Sequence, residues 1–352
     1  MTAATEQVEH GSGPPAEKPF TEAEIASVID AVREVSSAAT PSACADEDAA
    51  ADYWDASTMG QLNEASLVTR LRSYRPPAFP LWDRLPVSRR AAVLILLYAD
   101  RLGDLRVVIT MRSATLRSFS GQAAFPGGKA DTIEETPYQV ARREAWEEIG
   151  LPMDDAKIPA PFTIEQLCHL PHSLARTGLV VRPCVAFLHA TASASAAAGG
   201  EVPTADESLM PRLDAKEVAA VFSAPFHNFL LAADEEDSPA AARALPPGRW
   251  YEGKWTEYNG HRWRLHYFFV PVGRQRVTRP RPREDGQAAL GDEPDGDDAA
   301  EARFKVWGMT GRMLVDAARI AYAEEPEFEH NEQFGDEPMI EELASQIVEN
   351  KL

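Results

Sequence analysis

The stretch Phe125-Pro-Gly-Gly-Lys-Ala-Asp-Thr-Ile-Glu-Glu-Thr-Pro-Tyr-Gln-Val-Ala-Arg-Arg-Glu-Ala-Trp-Glu-Glu-Ile-Gly-Leu151 holds the most information in this chain. Its second half is punctuated as a helix. Thr136 supplies a cap, Pro137 fits the first helical position, and Gln139 completes a Thr-x-x-Gln capping box. Gly150 supplies the stop. Glu144, Glu147 and Glu148 fall within an arc of about 100° on that helix, beside a face of Tyr138, Ala145 and Ile149 that can pack inward. Carboxylates at these spacings repel, and the helix dipole disfavours anions in the last turn, a combined cost of about 1 kcal/mol. A divalent cation converts that cost into a binding site, because hard ions such as Mg²⁺ take carboxylate oxygens and keep waters for substrate phosphate. The spacing alone equally fits a solvated acidic helix with Arg142 and Arg143 as partners.

Outward from this stretch, Ala91–Tyr98 reads as a buried strand and Leu105–Met111 as a second, joined by a hairpin turn at Leu102-Gly103-Asp104. Thr177–Leu188 is a β-branched run whose Pro183 predicts a stretch at a sheet edge. Trp250–Val272 carries an Asn-Gly hairpin turn at Tyr258-Asn259-Gly260-His261. After Phe304–Thr310 a helix is expected through Met313, Leu314, Ala317 and Ile320. Residues 1–60 read as an N-terminal extension with one helix over Phe20–Val35, 61–325 as the dense domain, and 326–352 as an acidic, solvated tail. Acidic stretches near 191–211 and 279–301 read as solvated insertions, because neither has the apolar residues to pack.

The chain has 352 residues, 44% hydrophobic and 26% charged, enough for one large domain or two small ones with a real core. Its longest apolar run, Ala91–Ala99, is too short to cross a bilayer, and Met1–Ala50 carries no basic-then-apolar leader. Cys44, Cys168 and Cys184 are odd in number and widely spaced, against a disulfide framework or a thiolate zinc site. The expectation is a soluble intracellular protein with no membrane partner. A net charge of −20 argues against nucleic acid as a partner. The balance reverses locally: Arg101, Arg106, Arg112, Arg117 and Lys129 face one acid, Asp104, which suits a small phosphorylated substrate. His169, His172 and His189 lack metal-type spacing, and Cys168 and Cys184 are expected in the core.

Arg143-Glu-Ala-Trp-Glu-Glu-Ile-Gly-Leu151 resembles the second half of the Nudix box, R-E-U-x-E-E-x-G-U, with Glu135 eight residues before Arg143. The loop from Gly128 to Glu135 is one residue longer than usual, and Ala145 stands at a bulky aliphatic position. Glu134 keeps the usual loop length but sits nine residues before Arg143. Upstream, Ser113-x₃-Arg117-x₃-Gly121-x₃-Phe125-Pro-Gly-Gly128 is similar to the signature accompanying the box in coenzyme A diphosphatases. Leu170-Pro-x₃-Ala175-Arg176-Thr177, Trp263-x-Leu265-His266-Tyr267 and Trp307-Gly308-Met309-Thr310 fit the fungal peroxisomal members of that group.

This resemblance implies an α/β fold, the Nudix α/β/α sandwich of a mixed sheet with flanking helices. It also implies Mg²⁺ or Mn²⁺ dependence and hydrolysis of the diphosphate linkage of coenzyme A or its derivatives. The products would be 3′,5′-ADP and 4′-phosphopantetheine or its acyl form. Glu144, Glu147 and Glu148 become the expected metal ligands, and Glu135 the loop carboxylate that pairs with Arg143. The general base is left between Glu147 and Glu217. Arg112, Ser113, Arg117, Gly121, Gly127, Gly128 and Lys129 are the expected substrate-binding residues. The ending Asn350-Lys351-Leu352 differs from the Ser-Lys-Leu address only at its first position, which suggests a peroxisomal import receptor as a partner and a peroxisomal rather than cytoplasmic location. Two other functions stay open: a Nudix pyrophosphatase acting on ADP-ribose, NADH or another nucleotide diphosphate derivative, and a non-catalytic Nudix-fold interaction protein.

Overall fold

The apolar run at residue 91 forms strand β1 (Arg90–Ala99), and a turn at Gly103 (φ +87°) returns the chain as β2 (Leu105–Arg112). The computed structural model describes residues 64–79, 82–112, 122–191, 205, 218–234, 248–272, 277 and 303–349. The expected helix at Phe20–Val35, the 279–301 insertion, Ser113, Arg117, Gly121, Glu217 and Asn350-Lys351-Leu352 lie outside these residues.

β1 is central to an eight-stranded mixed sheet. It pairs antiparallel with β2, and parallel with β7 (Val180–Ala190) from Arg90 opposite Val180 to Tyr98 opposite Leu188. β5 (Phe162–His169) and β6 (Ser173–Leu174) border β7. β3 (Ala123–Ala124) and β8 (Val218–Pro225) pair with β2. The short β4 (Gly127–Lys129) pairs with the start of β1.

Both faces of this sheet are covered, which is why β1 is apolar throughout rather than alternating. On one face Ala92, Leu94, Leu96, Cys184 and Ala186 meet helix α2 (Pro137–Ile149) through Val140, Ala141, Ala145 and Ile149. On the other, Ile95, Leu97, Val185 and Phe187 pack in one core with helices α1 (Glu64–Ser73) and α3 (Gly308–Tyr322). The outcome is the expected α/β/α sandwich. A second sheet adds to it: β9 (Tyr251–Tyr258), β10 (His261–Pro271) and β11 (Arg303–Trp307), the first two joined at Asn259 and Gly260, both at positive φ. Phe268, Val270 and Val306 on one face of that sheet join the α3 side of the core.

Three expectations need correction. Pro183 does not mark an edge, since β7 has β1 on one side and β5 and β6 on the other. Its carbonyl accepts from Leu170 N at 3.0 Å, so the absent N–H points to the gap between β5 and β6, where the ladder is interrupted. The 191–211 stretch is not wholly solvated, because Ala205 is buried in the α2-side core. Nor is the segment after Ala323 a solvated tail. Helix α4 (Glu337–Glu349) buries Met339, Ile340 and Ala344 in a cluster with Phe79, Trp82, Leu174, Val180 and Trp263. The acidic composition hid this because the key carboxylate is paired. Asp336, 3% exposed, accepts from Leu174 N at 3.0 Å and Trp263 Nε1 at 3.2 Å, and pairs with Arg312 at 3.2 Å. No described helix is long and apolar enough to cross a membrane.

Candidate active site

α2 is built as its sequence dictates. Thr136 Oγ1 accepts from Gln139 N at 3.3 Å, and Gln139 Oε1 accepts from Thr136 N at 2.9 Å, closing the capping box. Gly150 ends the helix in the left-handed region at φ +70°. Burial of Ala145 and Ile149 against the sheet sets the rotation of the helix, so Glu144 and Glu148 point toward the loop that carries Gly127 and Gly128, and Glu147 meets Arg143. A small residue at 145 suits this packing: Ala145 is fully buried against the sheet.

The two candidate arginine partners part company. Arg142 is buried and serves the end of its own helix, donating to Pro152 O, to Tyr138 Oη at 3.1 Å and to Asp155 Oδ1 at 2.9 Å. Of these two, Arg143 serves the carboxylates. It donates to Glu135 Oε1 at 2.9 Å, Glu144 Oε1 at 3.0 Å and Glu147 Oε2 at 3.3 Å, and to the Lys129 carbonyl at 2.8 Å. These partners hold its guanidinium pKa above the ordinary arginine value, the Glu135 hydrogen bond contributing most. Glu135, not Glu134, meets Arg143, and its second oxygen accepts from Asp131 N at 2.7 Å. Burial works against the charge on Glu135, but the Arg143 bond and the loop N–H groups together hold its carboxyl below the usual range. The longer loop is thus absorbed as a turn folded round Glu135. Asp131, which its spacing did not single out, also lies 3.4 Å from Arg143 Nε.

Glu144 and Glu148 bracket the glycine turn. Glu148 Oε2 accepts from Gly127 N at 3.2 Å. A Cβ on Gly128 would collide with the Glu144 carboxylate, and one on Gly127 would lie 2.5 Å from Ala92 O and 2.7 Å from Val93 Cα. Glycine is therefore required at both positions for close approach, at 127 to the sheet and at 128 to the carboxylate. The carboxyl of Glu144 is pushed up, chiefly by burial and then by its neighbours Glu147 and Asp131, against the pull of Arg143. Such a group gains from a cation beside it. As the side chains stand, no three carboxylates among the described residues share one coordination centre, since Arg143 holds Glu144 and Glu147 while Glu148 turns to Gly127.

Arg112, at the end of β2, places Nη1 4.0 Å from Glu148 Oε1, and its buried Nε has no hydrogen-bond partner among the described residues. Lys129 is exposed at the end of β4. The structure thus brings Arg112, Gly127, Gly128, Glu135, Arg143, Glu144, Glu147 and Glu148 to one corner. His172, by contrast, is buried between Phe79 and Trp82 and bonded to Glu337 at 2.7 Å, and Cys168 and Cys184 are core residues, as expected.

A capped helix of carboxylates under a Gly-Gly turn, on one face of an α/β/α sandwich, defines a Nudix-type hydrolase. The NUDIX domain family matches residues 88–172. The chain is 35% identical over 244 residues to peroxisomal coenzyme A diphosphatase 1 of Saccharomyces cerevisiae, covering 67% of this chain and 70% of that protein. It is 32% identical over 143 residues to the mouse peroxisomal coenzyme A diphosphatase NUDT7, covering 41% of this chain and half of that one. Among solved structures it is similar to the MutT protein of Methanosarcina mazei, at 18% identity, 44% and 88% coverage and a TM-score of 0.26. The chain belongs to the Nudix hydrolase family, enzymes that act on phosphorus anhydrides and generally need a divalent metal.

Proposed function

We propose that this protein hydrolyses the diphosphate linkage of coenzyme A and its derivatives, giving 3′,5′-ADP and 4′-phosphopantetheine or its acyl form. The observation that carries this is Arg112: a partly exposed guanidinium beside Glu148, immediately before the Ser113–Gly128 signature, whose buried Nε–H has no partner among the described residues. The names of the yeast and mouse relatives support the same substrate.

Glu144 and Glu148 are the primary metal ligands in this proposal and Glu147 the third; their all-oxygen donor set fits Mg²⁺ or Mn²⁺. The ion supplies charge neutralisation at the two phosphates and acidification of the attacking water. Arg112 and Arg117, with Lys129, bind phosphate oxygens, and Ser113 and Gly121 belong to the same substrate-binding set. Arg143 pairs with Glu144 and Glu147 and, through Glu135, holds the loop against α2. Glu147, 37% exposed at its side chain, or Glu217 takes the proton from water. Residues 1–60 form an extension to this catalytic unit, and Asn350-Lys351-Leu352 address the protein to the peroxisome through the import receptor.

The test is to incubate purified protein with Mg²⁺ or Mn²⁺ and coenzyme A, acyl-coenzyme A, ADP-ribose or NADH, and to resolve the products. Release of 3′,5′-ADP is expected from the first two, and E148Q should abolish it while leaving the fold intact. Turnover of ADP-ribose or NADH alone would replace the substrate; no turnover at all would favour a binding protein.

A further inference from the structure

The second sheet turns one face to the core, and among the described residues part of the other is uncovered. In the β10–β11 register Tyr267 lies opposite Trp307, and their rings run nearly parallel, 11° apart with centroids 5.8 Å apart. Lys305, two residues before Trp307 and so on the same face, places Nζ 4.4 Å from the Tyr267 ring centre and 5.4 Å from that of Trp307. Lys254, from β9, lies 5.9 Å from the Tyr267 ring centre. Further along the face Trp263 and Leu265 are covered by the α4 cluster, but that cover stops short of Tyr267.

In a chain of net charge −20, two exposed lysines over paired aromatic rings are a local exception. Among the described residues neither lysine has a carboxylate within ion-pair distance. Glu252, which lies opposite Tyr267 in the register, is paired instead with Arg249 at 2.8 Å. The face also connects directly to the candidate active site. Trp307 ends β11, α3 begins at once, and Thr310 Oγ1 donates to Ala123 O at 3.4 Å, in the strand just before the Phe125-Pro-Gly-Gly turn.

We propose that Tyr267, Trp307, Lys254 and Lys305 form a subsite for the phosphorylated purine end of the substrate; this rests on coenzyme A being that substrate. Cation–π contact between a solvated lysine and a ring is weaker than stacking of a nucleobase, so a purine displaces the lysines from the ring faces. The displaced ammonium groups are then placed to meet phosphate, where charge-assisted bonds are stronger. The pantetheine arm of coenzyme A offers neither a ring to stack nor a phosphomonoester, so the face selects the nucleotide end.

The test uses the full chain and the surface variant K254E/K305E, with W307L as a second arm. Calorimetric titration with 3′,5′-ADP, without metal, should give affinity at least tenfold weaker in both variants, and 4′-phosphopantetheine binding should not change. In turnover, K254E/K305E should raise KM for coenzyme A tenfold or more with kcat little changed, and lose most of the preference for coenzyme A over its 3′-dephospho form. Unchanged 3′,5′-ADP affinity in the soluble, folded K254E/K305E protein would overturn the subsite. If the wild-type chain cleaves no coenzyme A, the proposed activity fails, and the titration alone decides whether this face binds a phosphorylated purine.

Discussion

Arg143 Nε and Glu135 Oε1 are 2.9 Å apart, and this contact ties the loop after the Gly-Gly turn to the helix that carries the carboxylates. Both side chains are largely enclosed, at 15% and 18% exposure, so the bond is shielded from water and salt. E135Q keeps the shape but removes the charge. It should cost about 1.5–3 kcal/mol of stability, the range of a hydrogen bond to a charged group, and lower kcat tenfold or more by loosening the loop. Urea unfolding and product release measure the two effects. Full activity in E135Q would show that the loop is held by its backbone alone.

The two glycines of the turn should fail in different ways. At Gly127 a methyl group meets the backbone of Ala92 and Val93, which the central strand cannot move, so G127A should destabilise the fold by about 1–3 kcal/mol. At Gly128 it meets the end of the Glu144 side chain, which can swing away. G128A should therefore keep its thermal midpoint within a few degrees while losing most activity, because the displaced carboxylate is a proposed metal ligand. Equal loss of stability in the two variants would contradict this division.

Acid should weaken the fold through two buried histidines. Burial, with Arg182 beside it, lowers His172 to about 4 despite its bond to Glu337. Burial, then His330 and Arg264, lowers His266 to about 2. An unfolded histidine titrates near 6.5. Between about pH 6.5 and 4 the unfolded chain therefore binds protons that these folded groups refuse, and stability falls with pH by up to about 1.4 kcal/mol per unit for each. Glu144, raised by burial, acts in the opposite sense around its own carboxyl range. The urea midpoint should drop steeply from pH 6.5 to 4.5, and H266Q should reduce the slope. A midpoint that does not change over that interval would refute the assignment.

Asp336 should be among the most sensitive positions far from the carboxylate cluster. D336A leaves Arg312, 3% exposed, without its closest carboxylate, and strips the partners of Trp263 Nε1 and Leu174 N. Removing one member of a buried pair costs about 3–5 kcal/mol. Calorimetry should register that loss, and a chain ending at Ala323 should lose more, since it also uncovers Trp82 and Trp263. A truncated chain as stable as the whole would return this segment to the role of a tail.

Much of this was legible because it is local. The cap, first-turn proline and glycine stop of α2 act within a few residues of one another, so Thr136, Pro137, Gln139 and Gly150 could be placed from the chain alone. The β1–β2 hairpin and the Asn259-Gly260 turn were legible for the same reason. Pro183 was misread because its neighbour on the chain says nothing about the gap between β5 and β6, and the choice between Glu134 and Glu135 depended on how a six-residue spacer coils.

The sequence by itself determined the helix of carboxylates, the glycine turn before it and the strands that carry both, since periodicity and capping are short-range properties. Only the tertiary structure decided which arginine serves those carboxylates, sending Arg142 to the helix end and Arg143 to Glu135, Glu144 and Glu147. It also decided that the acidic segment after Ala323 packs. There Asp336 and Arg312 neutralise each other across a wide sequence separation, and no composition reports a charge whose partner lies that far along the chain.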